Sequence, residues 1–227
     1  MAILDEIIEE GLKPGDRLPT EASMLEQFDV GRASIREALR ILEIYGLIEI
    51  RQGQRGGPIV AELNARDLGR SLTFFFYITG ATYDELLEAR LLIEPPMARL
   101  AAERQDPKLL EELRISLEHE ATAPEEDYLH CANTFHYIVA GASGNRVLDL
   151  LGRSMRGLYA DRLTADGLFP DEGRPKVRNL HAKIGALILE GKGQRAEKLM
   201  REHLQELADL QRSLTPWVMD ERVKWRG

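Results

Sequence analysis

Arg32, Arg36 and Arg40 recur every four residues in this 227-residue chain, a spacing that lines side chains along one face of a helix. A guanidinium carries five N–H donors in a planar fork and stays charged at physiological pH. A row of three therefore suits phosphate oxygens and the O6 and N7 edge of guanine. Ile35, Ala38, Leu39, Leu42 and Tyr45 fall on another face of the same segment. One apolar stripe to pack and one basic stripe left outward is what a helix needs to lie against a polyanion. Taken alone, the arginines also read as an ordinary solvated face, because Glu37 and Glu43 interleave with them. Arg51 precedes, and Arg55 lies within, the glycine-rich stretch 53–57, which places both on or beside a turn tip.

The elements that must position these arginines follow from the neighbouring sequence. Ile3, Ile7 and Ile8 give a short amphipathic helix that stops at Gly11. A turn follows at Lys13-Pro14-Gly15-Asp16. Thr20, after Pro19 and before Glu21, caps a second helix that turns Met24, Leu25 and Phe28 inward. Asp29-Val30-Gly31 makes a tight turn into the third helix, about Ala33 to Tyr45, which Gly46 closes. Leu47, Ile48 and Ile50 then read as a strand, with a return strand near Ile59-Val60. Three helices and a two-stranded wing are the outline of a winged helix-turn-helix, which lays its third helix in the DNA major groove.

Charge tests that outline. Lys plus Arg number 30 against 38 Asp plus Glu, a net of −8, which excludes a broadly basic nucleic-acid coat. Residues 1–30 carry a net of −6 and residues 31–60 a net of +2, so positive charge gathers where the third helix and the wing lie. Few phosphates can be neutralised by such a surface. Nonspecific affinity and salt dependence are expected to be modest, with specificity from a few base contacts and from dimer geometry.

The remainder is long enough for a second domain of about 150 residues. Its pattern is helical throughout, with segments expected at 67–78, 83–104, 107–122, 125–142, 145–165, 172–190 and 194–213. Pro107, Pro124 and Pro170 fall at helix starts, where a missing N–H costs least, and Gly80, Gly144 and the pair Gly191 and Gly193 fall in breaks. Asn145 is expected to cap the helix after it. The FFFY run in Leu72 to Ile78 is far shorter than the roughly 20 residues of a membrane span, and is expected to be a buried helix at the domain junction. With no secretory signal pattern and a single cysteine, Cys131, the chain reads as cytoplasmic. The expected fold is mainly α: a winged helix-turn-helix over 1–61, a linker over 62–66, an all-α antiparallel helical bundle over 67–213 and a tail over 214–227. Thr215 to Gly227 has no clear period. It either packs across a partner subunit or stays loose.

The first region resembles the DNA-binding domain of the GntR family of bacterial transcription regulators. The elements PGDRLPTE at 14–21, RASIREAL at 32–39 and GLIEIRQG at 46–53 match the family pattern in order and spacing. The resemblance extends the DNA-contacting set to Thr20, Arg32, Ala33, Ser34, Arg36, Arg40, Arg51, Gln54, Arg55 and Gly56. It also marks two departures, because Ala22 and Gly31 stand where the family usually has Arg and Ser to hold the DNA backbone.

The strings YDELLEARLLIEPPMARLAAER, TFHYIVAGASGN and HAKIGALILEGKGQRAEKLMREHL resemble the effector domain of the FadR-like branch of that family, the FCD type. The resemblance implies a pocket for a small organic acid or acyl thioester, often with a divalent metal held by one Asp and three His. Carried over by position, the histidines are His136, His181 and His203, and the carboxylate is replaced by Ala132. Three neutral imidazoles can still hold Zn²⁺ or Ni²⁺, with water or a ligand carboxylate completing the shell. The loss of one anionic ligand would favour an anionic effector that coordinates the ion directly. The alternative is a metal-free polar pocket in which the histidines bond the ligand. Arg90 is implied to face the pocket and take a carboxylate in two parallel bonds; its alternative is a pair with Glu94 at i+4, or with Glu88. His119 and His130 match no ligand position.

The expectation is thus a regulator, acting as a repressor, that binds a palindromic double-stranded DNA operator as a homodimer and whose affinity is set by an organic acid near a three-histidine site. A metal-responsive regulator, a metal-free acyl-CoA-type regulator and a three-histidine metalloenzyme are its rivals, the last lacking a general base beside the histidines.

Overall fold

In the first 60 residues, local capping and turn chemistry delimit each element. The computed structural model describes residues 1–53, 56–62, 64–165, 168 and 173–224, with the side chains of Thr164 and Ala165 left aside. Helix α1 spans Ala2–Glu9, α2 Glu21–Phe28 and α3 Arg32–Ile44. The Thr20 hydroxyl accepts from the Ser23 backbone N–H at 3.2 Å and so satisfies one of the open donors of α2. Asp29 takes left-handed φ at 49° and turns the chain into α3. Strands β1, Ile48–Arg51, and β2, Gly57–Val60, pair antiparallel from Ile48 opposite Val60 to Arg51 opposite Gly57. The small core joins Ile3, Leu18, Met24, Ile35, Leu39, Leu42, Ile48 and Val60. Tyr45, expected on that apolar stripe, is 57% exposed. It stands at the C-cap, one residue past the last helical position, and leaves the stripe there. Gly46 follows at φ +68°, where a side chain would be strained.

Two compact units divide the chain, Met1–Leu68 and Gly69–Gly227, and α4, Ala65–Thr79, carries the backbone from one to the next. The FFFY run on α4 is not buried as expected. Phe74, Phe75 and Ile78 are 62%, 69% and 81% exposed, and Tyr77 is exposed as well. The small residues Gly69 and Thr73 make the buried stripe instead, with Phe76 packed at its edge. A Cβ on Gly69 would stand 3.5 Å from the Ser154 carbonyl oxygen, so this close approach turns the other aromatics outward.

The second unit is an antiparallel bundle of α5 Tyr83–Arg104, α6 Pro107–Thr122, α7 Tyr128–Ala142, α8 Arg146–Ala165, α9 Arg174–Leu189 and α10 Gly193–Leu214, followed by the short α11 Pro216–Met219. Thr82 and Glu85 form a capping box on α5. Asp106 caps α6, and Asn145 caps α8 by accepting from the N–H groups of Val147 and Leu148. Pro107 is the first residue of its helix, whereas α7 begins four residues after Pro124, and Pro170 lies outside the described residues. Helix α10 packs along α5 and α9, and α7 lies against α5, α6 and α8. Residues 215–224 pack on their own chain. Val218, Met219 and Val223 are buried with Tyr83, Leu86 and Leu87 of α5, and Val223 N–H donates to Ala81 at 2.8 Å. Three apolar residues spaced irregularly over six positions carry no period, which is why sequence patterning missed them. Among the described residues, no helix is long and apolar enough to cross a membrane.

Candidate functional site

Five helices supply a buried cluster of histidines and carboxylates. His136 comes from α7, His181 from α9 and His203 from α10, and each is at most 4% exposed. Their ligand nitrogens all lie within 4.8 Å of one another. Two hydrophobic clusters explain the placement. Ala132 and Leu207 belong to one, Phe135 and Leu204 to the other, so the histidines sit on the same helices where the two clusters adjoin. Phe135 stacks on His181 with centroids 4.1 Å apart, fixing the plane of that ring.

Carboxylates on two further positions hold the rings from behind. His181 Nδ1 lies 2.8 and 2.9 Å from the two oxygens of Glu120 on α6, a geometry in which a ring N–H donates to the ionised carboxylate. His136 Nδ1 lies 2.7 Å from Glu94 Oε2 on α5. Both arrangements leave Nε2 facing inward, as in carboxylate–histidine–metal chains. His181 Nε2 and His203 Nε2 are 3.1 Å apart. With the His181 proton on Nδ1, His203 supplies the one between them. The separation is close to the roughly 3.3 Å that two imidazole ligands keep around Zn²⁺ at Zn–N distances of about 2.0–2.1 Å. Neither nitrogen of the buried His136 ring has a well-aligned hydrogen bond among the described residues, Nδ1 meeting Glu94 only as a close contact, so Nε2 keeps an open lone pair or proton. The three residues therefore fit a divalent ion.

Electrostatics favour the neutral form that a ligand must have. Burial, and then the Arg156 guanidinium, lower His136 and His181 to about 3, against the opposing pull of Glu94. Burial and the two neighbouring histidines hold His203 well below its usual value. Burial acts to raise Glu94, but Arg90 first, then His136 and Arg156, outweigh it and leave it ionised well below the usual carboxylate range. Burial pushes Glu120 up to about 7, against His136, Arg178 and Arg156.

A cavity of about 30 Å³ opens on the cluster, bordered by Ala132, Asn133, His136, Arg156, Tyr159, His181 and His203. That is room for a water or two, or for one small ligand group. Ala132 contributes only a methyl to the wall where a carboxylate was absent from the sequence. Arg90 is not in that wall. Its Nε is 2.5 Å from Glu94 Oε1, the i+4 pair that was the alternative reading, and its guanidinium stacks 4.8 Å from the Tyr159 ring centroid.

The other expected site lies wholly in the first unit. Arg32, Arg36 and Arg40 are exposed along α3, with Ala33 and Ser34 in its first turn, and Arg51 is exposed at the end of β1. Arg36 is engaged by Glu21 of α2 at 3.2 Å, a surface pair of at most about 1 kcal/mol that phosphate can displace. Thr20 is exposed and serves as the α2 cap. Gly56 precedes β2; Gln54 and Arg55 lie outside the described residues.

The family model for bacterial regulatory proteins of the gntR family matches residues 1–56, and the FCD domain model matches residues 85–206. The chain belongs to the GntR family, with an FCD domain. It is 29% identical over 205 residues to the HTH-type transcriptional regulator LutR of Bacillus subtilis, covering 88% of this chain and 93% of LutR. It is 30% identical over 162 residues to the HTH-type transcriptional repressor NanR of Cronobacter sakazakii, covering 63% of this chain and 60% of NanR. A solved GntR structure from Streptococcus agalactiae superposes with a TM-score of 0.71 at 28% identity, over 92% of this chain and 96% of that one. This GntR protein is a transcription regulator with a DNA-binding winged helix and an FCD effector-binding domain.

Sequence reasoning missed Glu94 as a partner of His136, Glu120 as a partner of His181, and Arg156. Glu94 had been weighed only as a partner for Arg90. No local signal marks Glu120 or Arg156, since each is one charged residue among many on an amphipathic helix. His119 and His130 are exposed, as expected of histidines outside the site.

Proposed function

We propose that the protein is a repressor that binds a palindromic operator as a homodimer, and that a small organic acid entering the FCD cavity resets its DNA affinity. The observation that carries the reading is the neutral, carboxylate-backed cluster His136, His181 and His203 facing a small cavity, in a chain whose first unit exposes Arg32, Arg36 and Arg40 on α3. The three histidines would hold Zn²⁺ or Ni²⁺ by Nε2, and the ion would supply a Lewis-acid centre for an effector carboxylate. Ala132 leaves the place of a fourth protein ligand to that carboxylate or to water. Repression is supported by the likeness to NanR. Pairing of two chains is supported by the outward Phe74, Phe75 and Ile78 of α4, with Leu92 and Val147 elsewhere on the second unit, because monomers rarely leave so many large apolar side chains in water. A dimer places two copies of α3 on half-sites about 34 Å apart. Thr20, Ala33, Ser34, Arg51, Gln54, Arg55 and Gly56 complete the proposed DNA contacts. The acid can change operator affinity only as far as it prefers one arrangement of the paired chains over another.

Elemental analysis of purified protein tests the metal, since His203→Ala is expected to lose the ion that the parent retains; equal content in both overturns the site. Mobility shift on the DNA beside the protein's own gene, with and without metal and candidate acids, then separates an acid-responsive regulator from one for which the ion is itself the signal.

A further inference from the structure

Two buried guanidiniums lie at or behind the cavity of the FCD unit. Arg90 and Arg156 are both buried, at 1% and 8% exposure, and Glu94 is the ionised carboxylate between them. The other carboxylate near the cavity, Glu120, faces His181 Nδ1 at 2.8 Å. An uncompensated buried charge is costly unless an anion joins it. Both guanidiniums keep buried nitrogens with no hydrogen-bond partner among the described residues, Nη1 and Nη2 of Arg90 and Nη1 of Arg156, and they differ in where they stand. Arg90 gives Nε to Glu94, lies on Tyr159 and stands behind the cavity wall. Arg156 lines the cavity, its Nε fixed by Asn133 Oδ1 at 2.7 Å, and its Nη1 has no partner among the described residues. The Tyr159 hydroxyl, on the same wall, has no partner either.

We infer that Arg156, held by Asn133 and joined by the Tyr159 hydroxyl, is the anchor for the effector's carboxylate, and that Arg90 only sustains the field behind it through Glu94. The inference deepens the acid reading of the same cavity and rests on it. Arg156 and Asn133 lie on neighbouring helices, α8 and α7, so a carboxylate bridging Arg156 Nη1 and the histidine cluster would draw on α7, α8, α9 and α10 together. Burial and the proximity of Arg90 lower Arg156 to about 10, which leaves it protonated at neutral pH. One carboxylate oxygen is expected on the guanidinium and the other toward the histidines, so a neutral amide of the same shape would lose the charge-assisted bonds.

The test is calorimetric titration of the zinc-loaded full-length protein with acetate, lactate, succinate and citrate, each beside its uncharged amide. The expected result is at least one acid bound tenfold or more tightly than its amide, with that preference lost in Arg156→Gln and kept in Arg90→Gln. Circular dichroism and zinc content check that each variant is folded; if Arg156→Gln is not, Arg156→Lys, which keeps the charge but loses the fork, is expected to weaken the acid and spare the amide. Unchanged acid affinity in a folded Arg156 variant overturns the anchor while leaving the acid reading intact. Failure of every acid to bind the parent protein overturns both.

Discussion

The reader in the first unit keeps Arg32, Arg36 and Arg40 in water, whereas the FCD unit buries Arg90 and Arg156 with Glu94, Glu120 and three histidines. The same side chain does different work in the two places. On α3 the arginines would meet an already solvated partner at high dielectric under the proposed function, so each contact would be modest and several must add up. Inside the bundle every charge needs a fixed partner, and one change unbalances its neighbours. Surface recognition is therefore built from repeats of one residue, and the buried site from single residues that cannot replace one another.

The largest expected effect lies on the reader. Arg32→Ala with Arg36→Ala should weaken operator binding at least ~100-fold, at about 1–3 kcal/mol for each base or phosphate contact, with no change in metal content. Retained binding in a mobility shift would break the comparison at its DNA end. Next is Glu120→Gln, which keeps shape but weakens the acceptor for His181 Nδ1. A loss of about 10- to 100-fold in zinc affinity is expected, read by competition with a chelating dye, with operator binding by the metal-loaded protein preserved. Equal affinity would mean that the buried carboxylate does not orient the ring. Thr20→Ala is the smallest, about 1 kcal/mol of stability from the lost α2 cap. It sharpens the contrast because hydrogen exchange should rise in residues 21–28 and stay unchanged across α5 to α10.

How much could be read from sequence follows the same divide. Each element of the reader is set within a few residues: Thr20 caps the helix that starts after it, Asp29 turns the chain, and the four-residue spacing of arginines alone defines a face. The helices of the second unit were legible too, because Pro107, Asn145 and the glycine breaks act locally. Burial within them was less so. The FFFY run looked like core by composition, and only the close approach of Gly69 to α8, with Thr73 buried on the same face, shows that it faces outward. The last dozen residues looked aperiodic, yet Val218 and Val223 fill the space beside Tyr83.

The sequence by itself determined that a winged helix stands before an all-helical unit, that basic side chains gather on α3, and, by resemblance, that His136, His181 and His203 belong together with no carboxylate at Ala132. Tertiary structure decided that Glu120, from 61 positions away in the chain, backs His181, that Glu94 stands behind His136, and that Arg156 rather than Arg90 reaches the cavity. The physical reason is range. Caps, turns and helix faces are fixed by neighbours within about four residues, while a buried charge network exists only where distant helices bring its members within hydrogen-bond reach.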